Sequence, residues 1–110
     1  MAAQPLVKTV IEIDLNSAEA AVQDLPAQVE EAERVSIGTR LNWDMDWGDA
    51  VLRLLAVGRA AREGQLSTEQ QARYRQVLGD LQSLLPLARQ LDFDLPEALL
   101  EELAALRQAA

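Results

Sequence analysis

Apolar positions crowd into the run Ala50–Ala61, and the rest of the chain is patterned around it. At about 100° per residue, Val51, Leu54, Leu55, Val57, Gly58 and Ala61 fill one broad arc of a helix. Asp49, Arg53, Arg59 and Glu63 cluster opposite, with Leu52, Ala56 and Ala60 intruding among them. Such a pattern predicts a central helix that needs neighbours on at least two flanks. Glycine inside a helix costs roughly 1 kcal/mol against alanine, so Gly58 points to close approach of another helix. Gly64 is placed to stop the helix.

Before this helix the pattern changes period. Val7, Thr9, Ile11, Ile13 and Leu15 alternate with Lys8, Glu12 and Asp14, and the β-branched content agrees with a strand over residues 6–15. Asn16 or Ser17 then caps a helix whose Ala18, Ala21, Val22, Leu25, Val29 and Ala32 share one arc. Pro26 is expected to interrupt it, with Asp24 capping a second start. Val35, Ile37, Thr39, Leu41 and Trp43 alternate with Ser36, Gly38, Arg40 and Asn42, which predicts a second strand over residues 34–43. Two strands alone are marginal in water. Helices must cover them, or a second chain must add strands through an exposed edge and make a homodimer.

After Gly64 the helical period returns. Ser67-Thr-Glu-Gln70 reads as a capping box. The next helix carries Tyr74, Val77, Leu78, Leu81, Leu84 and Leu85 on one face and should pair antiparallel with the central helix through the short loop. Pro86 predicts a kink or break. Asp94-Leu95-Pro96, with Glu97, starts a closing helix whose apolar face is Leu95, Leu99, Leu100, Leu103 and Leu106. Its Ala-Ala end should fray. The expected architecture is α+β and mainly helical, a strand–helix–strand followed by an antiparallel helical hairpin and a closing helix, in one domain over residues 1–110. An all-α bundle is the alternative.

Composition removes several chemistries. The 110 residues contain no cysteine and no histidine. That excludes disulfides, thiolate metal sites and the commonest general base. The net charge is −8, with ten acids against four bases in residues 1–55 and eight against six in the remainder. An acidic surface is repelled by phosphate backbones and anionic lipid, so neither nucleic acid nor membrane is the expected partner. No apolar stretch approaches the roughly 20 residues of a membrane span. Met1–Pro5 lacks a basic region followed by an apolar one, which predicts no signal peptide and a cytoplasmic protein.

The stretch Asn42–Asp49 departs from ordinary scaffolding, holding both tryptophans of the chain and three aspartates. Asn42, Asp44 and Asp46 match the first ligands of a calcium loop, but Trp47 stands where glycine is needed and Arg53 where glutamate is needed. Asp44 and Asp46 would share a face on a strand and could pair around Mg²⁺, yet no phosphate-binding loop follows and Lys8 is the sole lysine. The remaining reading is recognition, with Trp43, Asp44, Asp46 and Trp47 binding a partner, because tryptophan dominates interface hot spots. Against it stands a core role for both tryptophans, with Asp46 capping the central helix. Glu30, Glu31 and Glu33 read as a solvated face. Arg73 and Arg75 flank Tyr74 and read as surface charges, Arg73 pairing with Glu69.

The expected function is therefore non-catalytic: an interaction module or small subunit that binds another protein or itself, with no cofactor and no metal. An acidic inhibitor that mimics nucleic acid is the first alternative, predicting acids from Glu12 to Asp49 on one continuous face. A small Mg²⁺-dependent enzyme using Asp44 and Asp46 is the second.

Overall fold

Ile11, Leu15, Ala18, Val22 and Leu25 recur every three or four residues, and all five are buried along one side of a single helix. The computed structural model describes residues 5–109. These form four helices, α1 (Pro5–Glu31), α2 (Ile37–Arg62), α3 (Thr68–Gln90) and α4 (Glu97–Ala109). None of the described residues lies in a strand, so the fold is an all-α bundle. The α+β expectation is corrected: residues 6–15 belong to α1, and residues 37–43 open α2. The expected signal-free start at residues 1–4 and the fraying of Ala110 fall outside the described residues.

The correction has a physical reason. Ile11 and Leu15 satisfy a period of two and a period of 3.6 equally well. Only the helical frame runs on through Ala18, Val22 and Leu25, and it buries far more apolar surface than a two-stranded ribbon could. The helical choice leaves Leu6, Val10 and Ile13 exposed. Pro26 does not interrupt α1. Its missing hydrogen bond costs about 3 kcal/mol, offset by burial of Leu25 just before it and packing of Val29 just after. Pro86 likewise sits inside a continuous α3, between the buried Leu85 and Ala88.

Local signals set the other boundaries. Ser36 caps α2, its Oγ accepting from the Thr39 N–H at 3.1 Å. Arg62 ends α2, and Gly64 takes φ +71° while the Gln65 N–H donates to the Ala60 carbonyl at 2.9 Å. The Ser67 box is complete: the Gln70 N–H donates to Ser67 Oγ at 3.1 Å, and the Ser67 N–H donates to Gln70 Oε1 at 2.9 Å. The end of α3 repeats the α2 closure with an unusual residue. Asp92 takes φ 60°, and the Phe93 N–H reaches the Ala88 carbonyl at 3.0 Å. Pro96 precedes α4, its carbonyl accepting from Leu99 and Leu100.

α1 packs against both α2 and α3, and α4 closes the far side over α3 and α2. α1 runs antiparallel to α2, with Asp14 meeting Arg53 at 3.0 Å. It runs parallel to α3, whose Arg73 reaches Glu12, Asn16 and Glu19. Arg73 therefore pairs with α1 and ties two helices together, in place of the expected pairing with Glu69. Leu15, Leu25, Val57, Val77, Leu81 and Leu99 are the largest fully buried side chains, drawn from all four helices.

Candidate interaction surface

The Ser36 cap starts α2 at Ile37, and its apolar arc decides which side faces inward. Trp47, Ala50, Val51, Leu54, Val57, Gly58 and Ala60 are buried. Ile37, Leu41, Met45, Gly48 and Leu52 then follow one another at spacings of four, four, three and four residues. At about 100° per residue they share an arc of roughly 80° on the outer side. The large side chains among them are uncovered, with Ile37 80 %, Met45 72 % and Leu52 69 % exposed. Leu52 was one of the residues that intruded among the charges of the central helix. No other helix of the described chain covers it.

Gly48 lies in the middle of this stripe. A Cβ placed there would meet nothing within 4 Å, so no contact inside the chain calls for glycine. Gly58 is the opposite case. A Cβ there would stand 2.6 Å from Tyr74 Oη and 3.3 Å from Glu102 Oε1. The expected close approach at Gly58 is real, and it comes from α3 and α4 together. Tyr74 Oη donates to Glu102 Oε2 at 2.9 Å, and Arg62 pairs with the same carboxylate. Burial, then the Glu102 carboxylate, push the Tyr74 hydroxyl above its ordinary pKa.

Charge along α2 is divided by position. Asp44, Asp46 and Asp49 precede Arg53, Arg59 and Arg62, while Arg40 near the helix start turns to the Ala32 and Leu91 carbonyls. Arg53 is held between Asp49 at 2.8 Å and Asp14 at 3.0 Å, and these carboxylates, Asp49 first, raise its pKa. On α1, hydrogen bonding from Gln70, with Arg73 beside it, holds the Glu12 carboxyl below its usual range. The three acids of α1 that pair with arginines fall into two sets. Glu12 and Glu19 face α3 through Arg73, and Asp14 faces α2 through Arg53.

The four residues singled out as partner-binding are separated by the helix. Trp47 is 3 % exposed, donates Nε1 to the Asp94 carbonyl at 2.8 Å, and stacks on Phe93 at 5.1 Å. It bonds α2 to the connection between α3 and α4. Trp43 is half-buried against the same core. Asp44 and Asp46 are exposed. Asp46 lies inside α2 and caps nothing, because the helix begins nine residues earlier at Ile37. The shared face of Asp44 and Asp46 required a strand; residues two apart on a helix point to different sides. Among the described residues no three acidic side chains gather in a way that could hold a metal ion.

Comparison with protein-family models, with curated proteins and with solved structures finds no match. Function must therefore be argued from the surface itself. No helix of the described residues is long and apolar enough to cross a membrane. The α2 stripe was legible only after the helix start was known. Ile37 and Leu41 had been assigned to a strand, which cut the repeat in two before Met45 and Leu52 could extend it.

Proposed function

We propose that the chain is a non-catalytic protein-interaction module that docks through the outer face of α2. The observation that carries this reading is the uncovered stripe Ile37, Leu41, Met45 and Leu52. Single exposed apolar residues are ordinary, but a row of four large ones along one helix face marks a contact site. Covering each would contribute about 1.5–3 kcal/mol, a gain the isolated chain forgoes. Leu6, Val10 and Ile13 form a shorter row on α1, the helix antiparallel to α2, and can widen the same contact. Asp44 flanks the stripe and belongs to its rim. Trp47 supports the helix from beneath. A cytoplasmic setting, suited to a chain without cysteine, is part of this proposal.

The mimic of nucleic acid gains no support from the placement of the acids. Glu12 and Glu19 lie on one side of α1 and Asp14 on another, each side already holding an arginine, and Asp44 and Asp46 point to different sides of α2.

The test is a capture experiment with the wild-type chain and the double variant Leu41→Glu/Leu52→Glu. Both substitutions lie on exposed positions, so the helical signal and melting temperature should stay close to wild type. Partner capture from the native lysate should disappear in the variant. Equal capture by both chains would place the contact elsewhere and overturn the reading.

A further inference from the structure

We infer that the occupant of the α2 face is a second copy of this chain, laid antiparallel across the first with its Leu52 over Gly48. This rests on the reading of the outer face of α2 as a docking surface and adds what docks there. Three features meet in it. The stripe is self-complementary: Gly48 opens a gap one helical turn from Leu52, so a twofold axis between them seats each leucine in the other copy's gap. The mid-helix glycine, which nothing inside the chain requires, is then explained by backbone approach.

The second feature is charge. Asp44 borders the stripe toward its N-terminal end and Arg59 continues it toward the C-terminal end, so an antiparallel pair brings Asp44 of one copy toward Arg59 of the other, while Asp49, Arg53 and Asp14 pair among themselves away from this face. A parallel pair would set like against like. In the antiparallel register Arg59 of one copy comes opposite Leu41 of the other, one turn from Asp44. The third feature is the α1 row. Asp14 meets Arg53, so Ile13 lies beside the Leu52 turn, and Val10 lies toward the C-terminal end of α2. The second copy's Ile37 and Leu41 descend onto that end. The interface becomes two α1/α2 hairpins packed face to face, joining the contact classes of a four-helix bundle.

Light scattering across about 1 to 500 µM decides the matter, since one exposed helix face gives an interface at the weak end of the usual range. The weight-average mass of the wild-type chain should climb from 12.1 kDa toward twice that value. Gly48→Gln fills the gap with a good helix former in open space. It should shift the midpoint upward more than tenfold while the dilute protein melts no lower than wild type. Orientation is read by disulfide trapping, which the absence of native cysteine keeps clean. Mixed Leu41→Cys and Arg59→Cys chains should cross-link to each other, and Leu41→Cys alone should not.

A wild-type chain that stays at 12.1 kDa throughout overturns self-docking, whatever the capture experiment shows. A dimer that survives Gly48→Gln unchanged, or that links Leu41→Cys to itself, overturns the proposed packing.

Discussion

Replacing Gly58 by alanine tests the packing at the junction of α2, α3 and α4. On helix propensity alone the change should stabilise the chain by about 1 kcal/mol. The structure reverses the sign. The new methyl would lie 2.6 Å from Tyr74 Oη, so the phenol must retreat by roughly 1 Å to restore van der Waals contact. Tyr74 is buried, and its hydroxyl is bound to the Glu102 carboxylate at 2.9 Å. Weakening a bond to a charged acceptor costs about 1.5–3 kcal/mol, and forcing a packed ring aside costs about 1–3 more. Less the propensity gain, the net is a destabilisation of about 1.5–5 kcal/mol, or roughly 6–20 °C in melting temperature for a domain of this size.

Urea unfolding followed by circular dichroism measures it, with Gly79→Ala as the reference. A Cβ at Gly79 meets nothing within 4 Å, so that variant should gain up to about 1 kcal/mol. A double-mutant cycle with Tyr74→Phe isolates the cause, because removing the hydroxyl removes the nearest clash. Gly58→Ala should cost at least about 1 kcal/mol less in the phenylalanine background. If Gly58→Ala matches Gly79→Ala, the three-helix contact is not the reason for the glycine.

Other outcomes follow from the same geometry. Asp92 holds a left-handed conformation at the C-terminal end of α3, where a carboxylate also opposes the helix dipole; Asp92→Asn should therefore raise stability by about 0.5 kcal/mol in chemical denaturation. Arg73→Met removes the tie between α1 and α3 and should cost about 1–2 kcal/mol, and its stability should also depend less on acid pH. That dependence has a definite sign. The depressed Glu12 carboxyl supplies stability above its unfolded pKa, and this is lost as pH falls through the acid range. Tyr74 acts at the other extreme. Its folded pKa is raised, so stability is retained below the ordinary tyrosine pKa of about 10 and falls as pH climbs beyond it, an alkaline loss that Tyr74→Phe should abolish.

The C-terminal half of the chain was readable because each signal there has one meaning. Ser67 with Gln70 makes a box only at a helix start, Gly64 closes α2, and Tyr74, Val77, Leu78, Leu81 and Leu85 repeat on one helical arc that the structure buries. The first half was ambiguous because two apolar rows overlap on the same helices. On α1 the buried Ile11 and Leu15 are interleaved with the exposed Val10 and Ile13. Together they mimic the alternation of a strand. On α2 the exposed Ile37 and Leu41 do the same. The residues that favour a strand assignment are thus the ones that line the proposed interaction surface. Trp43 and Trp47 stand out for their size, but only a helical frame that runs unbroken from Ile37 through Leu54 places Trp47 on the buried arc and Met45, between them, outside it.

α4 is the shortest helix, set in place by the buried Leu99 and Leu103 and by the carboxylate of Glu102. On so short a grip α4 should open before the other three helices do, at less than the free energy of global unfolding. Its amides should exchange with deuterium well ahead of those around Leu15 and Leu81, and each release would bare the Tyr74 edge to solvent while the stripe on α2 stays presented and intact.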